Sequence, residues 1–119
     1  MKTVLVVDDE ADVVDVIVAV LAGHDITVLA AYDGRAALAL ARRERPDLVL
    51  SDVMMPGLDG RELCGLIKAD PDLSGTRVAL LSALYKLDLR ECGEDAFIPK
   101  PFGRDQLKGA ILRLLASEG

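Results

Sequence analysis

Five short, nearly unbroken apolar runs recur along the chain, at residues 3–7, 27–30, 48–51, 77–81 and 96–98. Runs of this length without polar alternation predict parallel strands covered on both faces. Between them lie longer stretches with helical spacing, at residues 11–22, 34–45, 60–68 and 104–116, and a short one around 87–92. The last long stretch sets Leu107, Ala110, Ile111, Leu114 and Leu115 in a stripe wide enough to face a sheet. The first is rich in valine, which suits strands, but its length of about a dozen residues exceeds the usual strand and decides for helix. Asp33 and Asp59 stand at helix starts as N-caps, and Glu62, three residues after Asp59, completes a capping-box pattern. Five βα units in succession predict an α/β fold: a five-stranded parallel sheet, doubly wound, with right-handed crossovers and a shortened fourth helix.

At 119 residues, the chain suits one domain with a real core, residues 1–119 forming a single unit. A net charge of -6 argues against a nucleic-acid groove, which needs clustered Lys and Arg. The aromatic residues Tyr32, Tyr85, Phe97 and Phe102 make no stacking platform for bases. No signal-peptide pattern follows Met1 and Lys2, and the apolar stretch 16–23 is too short to span a bilayer, so a cytoplasmic protein without a membrane partner is expected. Cys64 and Cys92 lack metal-ligand spacing and read as reduced thiols with a structural role. His24 is the single histidine and falls in a helix-to-strand turn, which excludes Ser-His-Asp and Cys-His catalysis.

The chemistry-bearing residues collect where parallel sheets bind ligands, at the carboxyl ends of strands. Strand one ends in Asp8-Asp9-Glu10, strand three in Asp52 and strand four in Ser82-Ala83, while strand five leads to Lys100-Pro101. Two carboxylates about 5 Å apart at an effective dielectric near 20 repel by roughly 3 kcal/mol, so an acidic pair facing a third acid calls for a cation. Oxygen ligands without His or Cys select Mg²⁺ or a similar hard ion such as Mn²⁺, which shares its coordination readily with phosphate. Lys100 would then serve as a point charge for a phosphoryl oxygen, and Ser82 as a hydroxyl donor to another. Each residue has a plainer reading: Asp8 and Asp9 as the acidic start of a helix, Ser82 as a strand-end cap, Phe97 as core.

At VLVVDDE, LVLSDVMMPGLDG, VALLSA and AFIPKPF, the sequence resembles the receiver domain of two-component response regulators, of the chemotaxis-regulator type, and the resemblance covers essentially the whole chain. It implies a flavodoxin-like (βα)5 fold and assigns roles position by position. Asp52 is the implied phospho-acceptor, charged by a histidine kinase or histidine phosphotransfer protein. Asp9 is the implied direct metal ligand, Asp8 its water-mediated or hydrogen-bonding companion, and Met54 the donor of a backbone carbonyl to the same ion. Lys100 would pair with the acceptor and then with the phosphoryl group, across a cis Lys100-Pro101 bond. Ser82 and Phe97 take the switch positions, and Pro56 and Gly57 shape the loop before the third helix. A downstream protein or an output domain would read the result. Two alternatives remain: a Mg²⁺-dependent aspartate-nucleophile phosphatase of the haloacid dehalogenase type, and a pseudo-receiver used only for binding.

The sequence departs from the family pattern between Ser82 and Phe97, which is shorter than usual by about one helical turn of 3.6 residues. Leu84, Tyr85, Leu87 and Leu89 in that segment form a candidate partner surface. Met54 and Leu84, which border the phosphoryl group in the family, are apolar here and imply slow self-dephosphorylation. A kinase is expected near the first helix and the loops around Asp52, where Val14 and Val18 would offer apolar surface.

Overall fold

The computed structural model describes residues 2–82 and 92–116. The strands are β1 (Lys2–Val7), β2 (Ile26–Ala31), β3 (Leu48–Asp52), β4 (Arg77–Ser82) and β5 (Ala96–Pro99), and the helices are α1 (Ala11–Leu21), α2 (Gly34–Glu44), α3 (Gly60–Ala69) and α4 (Arg104–Ala116). All neighbouring strands pair in parallel, in the order β2-β1-β3-β4-β5. This is the doubly wound five-stranded sheet expected. The short helix anticipated around residues 87–92, and the surface of Leu84, Tyr85, Leu87 and Leu89, lie outside the described residues.

Strand alternation sends side chains to two separate cores. On one face Val4, Val6, Leu48, Leu50, Leu81 and Ile98 meet α1 and α4 through Ile17, Leu21, Leu107 and Ile111. On the other, Leu5, Val7, Val49, Val78 and Leu80 meet Ala37 and Ala41 of α2 and Leu63 and Ile67 of α3. Every residue of β3 is buried, as a central strand covered on both sides requires. Full burial of each large apolar side chain contributes roughly 1.5–3 kcal/mol.

Helix ends follow local chemistry. Asp33 accepts from the Ala36 amide at the start of α2, and Asp59 and Glu62 close a reciprocal capping box on α3. Arg45 ends α2 in a left-handed conformation with φ 48° ahead of Pro46, which cannot continue a helix. A 3₁₀ turn at Pro71–Leu73, capped by the Asp70 side chain, was not anticipated from the sequence pattern.

One expected surface is corrected. Val14 is 2% exposed and packs in the α1–α4 core, whereas Val16 at 47% and Val18 at 38% are the apolar residues that α1 presents to solvent. Val14 lies three and seven residues before Ile17 and Leu21, so a 3.6-residue turn carries all three inward.

Two glycines of α3 behave oppositely. A Cβ at Gly60 would overlap the main-chain oxygen of Asp52, while one at Gly65 would meet nothing within 4 Å. Gly60→Ala is expected to destabilise the fold by about 1–3 kcal/mol despite better helix propensity. Gly65→Ala is expected to stabilise it by roughly 0.5–1 kcal/mol. Urea unfolding of both variants checks the pair, and a rise in midpoint for Gly60→Ala counts against the close approach.

Candidate functional site

Strand order reverses between β1 and β3, so the carboxyl ends of these two strands diverge around a crevice. Asp8 directly follows β1, and Asp52 is the last residue of β3, held in register with Leu81 of β4. Lys100 directly follows β5 and reaches back to both acids. Its Nζ lies 3.0 Å from Asp8 Oδ2 and 3.1 Å from Asp52 Oδ1. Asp8 is fully buried and Asp52 is 6% exposed, so this ammonium is shared by two carboxylates largely removed from water.

Asp8 also accepts the Glu10 amide through Oδ1 at 2.9 Å. The N-cap of α1 is Glu10, which makes no side-chain cap bond. Asp8 is thus tied to the crevice as well as to the helix approach, and the plain helix-start reading does not account for its pairing with Lys100. Asp9 is exposed, and oxygens of Asp8, Asp9 and Asp52 lie within 4.8 Å of one another, the one group of three acidic or soft ligands so placed among the described residues. Three carboxylates against one ammonium leave an excess negative charge, and a donor set made only of oxygens fits a hard divalent cation.

Burial sets the electrostatics. It is the main reason that the Asp52 pKa lies above the ordinary carboxylate value. The Lys100 hydrogen bond and charge draw it back, and the charges of Asp8 and Asp9 raise it further. Burial works against the Lys100 charge as well, but the hydrogen bonds to Asp8 and Asp52, with their coulombic attraction, more than offset it and hold the lysine pKa above its usual value. Lys100 therefore stays cationic throughout the neutral range.

The remaining predicted residues surround this centre. Ser82 ends β4 fully buried, and its carbonyl accepts the Lys100 amide at 2.8 Å, which fixes the chain at the base of the lysine. The Lys100–Pro101 bond is cis. Met54 is 58% exposed in the loop after β3. Phe97 lies on β5 opposite Leu80, half-buried against the core on the α2 and α3 side.

Two supports of Asp52 lie outside the predicted set. The Ser51 hydroxyl donates to the Asp52 carbonyl at 2.9 Å, and the Gly60 amide donates to the Val53 carbonyl at 2.9 Å as its bare α-carbon closes over Asp52. A glycine in the first turn of an otherwise well-capped helix is the sequence signal that such an approach leaves.

Comparison with known proteins agrees with this geometry. The sequence pattern of the response regulator receiver domain matches residues 4–112. The DNA-binding response regulator MtrA of Mycolicibacterium paratuberculosis is 38% identical over 116 residues, covering 92% of this chain and 49% of that protein. Histidine kinase P4 of Formosa agariphila is 38% identical over 118 residues, covering 96% of this chain and 8% of that protein. The chain thus spans about half or less of the length of these relatives. Among solved structures, chemotaxis protein CheY4 of Vibrio cholerae is 29% identical with TM-score 0.87, covering 96% of this chain and 98% of that one. The receiver domain of sensor histidine kinase PA1611 of Pseudomonas aeruginosa is 29% identical with TM-score 0.88, covering 98% of each chain, and has a magnesium ion coordinated in its active site cleft. The phosphatase alternative is not favoured, because the pattern matched over residues 4–112 is that of the receiver domain and the curated relatives include response regulators. Fold, crevice and sequence pattern coincide over most of the chain, which belongs to the response regulator receiver domain family, the phospho-acceptor module of two-component signalling.

Proposed function

We propose that Asp52 accepts a phosphoryl group from a histidine kinase or histidine phosphotransfer protein, and that the modified domain shifts a conformational equilibrium read by a downstream protein or output domain. The observation that carries this reading is the Lys100 ammonium bonded at once to Asp8 and Asp52 beside an exposed third acid, Asp9. An Asp52 carboxylate oxygen attacks phosphorus, the P–N bond to the donor imidazole breaks, and the imidazole nitrogen takes up a proton. Asp8, Asp9, Asp52 and the Met54 carbonyl are the residues that would hold Mg²⁺ or Mn²⁺. When bound, such an ion offsets the acidic excess and draws charge from the phosphoryl oxygens.

Lys100 can exchange its Asp52 contact for a phosphoryl oxygen while keeping Asp8. Phosphorylation adds nearly two negative charges and three acceptor oxygens, enough to recruit Lys100 and the Ser82 hydroxyl together. Movement of Ser82 toward that group leaves room for the ring of Phe97 to turn inward, and the population shifts accordingly. The domain acts on its own carboxylate and turns over no separate substrate.

The phosphodonor would dock beside this crevice on α1. An open groove of about 470 Å³ there is lined by Asp12, Val13, Val16, Lys100, Pro101 and Phe102. From Thr3 to Gly34 the chain carries acids only, at Asp8, Asp9, Glu10, Asp12, Asp15, Asp25 and Asp33, with no Lys or Arg. An apolar partner surface with a cationic rim complements that face. Neither nucleic acid nor membrane is a partner of this domain in this reading. No helix among the described residues is long and apolar enough to cross a bilayer, and we read residues 1–119 as a single cytoplasmic unit.

Incubation with a small acyl phosphate and Mg²⁺ is expected to add one base-labile phosphoryl group to the wild type and none to Asp52→Asn, with Lys100→Ala slower by about 10²-fold. Intact mass spectrometry reads this, and an Asp52→Asn protein that is still modified at the wild-type rate refutes the assignment.

The raised Asp52 pKa predicts a stability effect. The fold disfavours the charged form, so its penalty is fully present above the folded pKa, fades as pH falls through that value, and is gone below the unfolded value. In metal-free buffer at neutral pH, Asp52→Asn should melt at a higher temperature than wild type, and the gap should shrink on acidification. Added Mg²⁺ should raise the wild-type melting temperature more than that of the variant. Calorimetry giving the opposite order counts against the electrostatic account.

Exposed Met54 offers no polar side chain to position an attacking water. The acyl phosphate is expected to persist for minutes or longer after the donor is removed. A half-life of seconds in Mg²⁺ would show this wrong.

A further inference from the structure

Away from the crevice, the two cysteines meet. Cys64 lies on α3 and is fully buried, and Cys92 sits half-buried in the turn that leads into β5. The Cys64 thiol donates to the Cys92 carbonyl at 3.3 Å, and the Cys92 thiol donates to the Glu94 carboxylate at 3.2 Å. Neither is used by the phosphoryl chemistry.

The turn carrying Cys92 is pinned to α3 and β4 independently of the sulfurs. Lys68, one turn after Cys64, bonds Asp95 at 2.7 Å and the Thr76 carbonyl at 3.2 Å. Asp95 accepts the Val78 amide at 2.8 Å through its side chain and donates its own amide to the Val78 carbonyl at 2.7 Å. Gly93, with φ 87°, lets the turn close onto the Lys68 stem. The Cys92 main chain is therefore held within 3.3 Å of the Cys64 sulfur by a frame that does not depend on the sulfurs, and the bridge requires the Cys92 side chain to turn from Glu94 toward Cys64.

We propose that Cys64 and Cys92 form an intramolecular redox-modification site, which a small disulfide such as oxidised glutathione converts into a bridge stapling α3 to the entrance of β5. The Cys92 thiolate attacks one glutathione sulfur; a Cys92–glutathione bond forms, the glutathione S–S bond breaks, and one glutathione leaves as thiol. The Cys64 sulfur then attacks the Cys92 sulfur, the bridge forms, and the second glutathione leaves as thiol. Two protein thiols are oxidised by two electrons and one small disulfide is reduced.

The order of attack follows from access. Cys92 meets solvent, whereas Cys64 has no exposed surface and can react only with a sulfur already delivered to it. Burial, foremost, raises the pKa of both thiols; the Glu94 carboxylate, 3.2 Å from Cys92 Sγ, opposes ionisation of both and Lys68 favours that of Cys64. The exchange is consequently slow at neutral pH and faster as pH rises. The bridge would tether the strand that carries Phe97, whose first residue, Ala96, lies four positions after Cys92.

The test treats reduced protein with oxidised glutathione at mildly alkaline pH, followed by acid quench, intact mass and a non-reducing peptide map. Wild type should lose two hydrogens, lose both titratable thiols and yield a Cys64–Cys92 linked peptide. Cys64→Ser should instead keep one glutathione on Cys92, and Cys92→Ser should remain unmodified in the native state. A wild-type protein that retains a glutathione adduct, links through Cys92 to a second copy, or keeps both thiols overturns the proposal. Amide hydrogen exchange across β5 should slow in the bridged protein and recover on reduction, and unchanged exchange would overturn the tethering. None of these readouts depends on phosphorylation at Asp52, so failure here and failure of the proposed function are separable.

Discussion

The structure turns on one ammonium group held between two carboxylates. Lys100 comes from the far edge of the sheet, and Asp8 and Asp52 from strands at its centre, yet all three meet within hydrogen-bonding distance. Taking two acids out of water is unfavourable, and either one without the lysine would be a strongly destabilising feature. The parallel sheet fixes the three backbones, and the shared ammonium offsets the burial of both acids. It is also incomplete by design of charge, since Asp9 adds an acid that the lysine does not neutralise. That surplus is what a divalent cation would offset in the proposed function.

Positioning of Asp52 is a backbone matter as much as a side-chain one. The residue remains in the β3 ladder, its carbonyl is held by Ser51, and Gly60 closes over it from the start of α3. The largely buried side chain is thereby carried on a rigid stalk, which would limit the geometries open to it in the proposed reaction.

Much of this was legible in the sequence, for identifiable reasons. Strands covered on both faces must be apolar throughout, so β1, β3 and β4 announce themselves; their ends were placed one residue short at Asp52 and Ser82 because polarity resumes there while backbone pairing continues. The capping acids Asp33 and Asp59 were legible because an N-cap is a local interaction. The inward face of α1 was not, since Val13, Val14, Val16, Ile17, Val18, Val20 and Leu21 leave almost no polar residue to set the phase, and Val14 was assigned to the surface. Gly60 gives no such sign because its reason is a neighbour eight positions away; the strand ends place Lys100 and the acids on one edge and the family resemblance implies its pairing with Asp52, but its bond to Asp8 is visible only in the structure. Cys64 and Cys92 read separately as structural thiols; only the packing of α3 against the turn before β5 makes them a pair.

The bond from Lys100 to Asp8 spans 92 positions, nearly the whole domain. During synthesis from the amino terminus, a chain that has emerged only through β4 already displays Asp8, Asp9 and Asp52 without the lysine that belongs between them. The crevice is therefore complete only when β5 joins the sheet and brings Lys100 to Asp8 and Asp52. A contact of that span slows folding, because the entropy of closing the loop is lost before the pairing repays it.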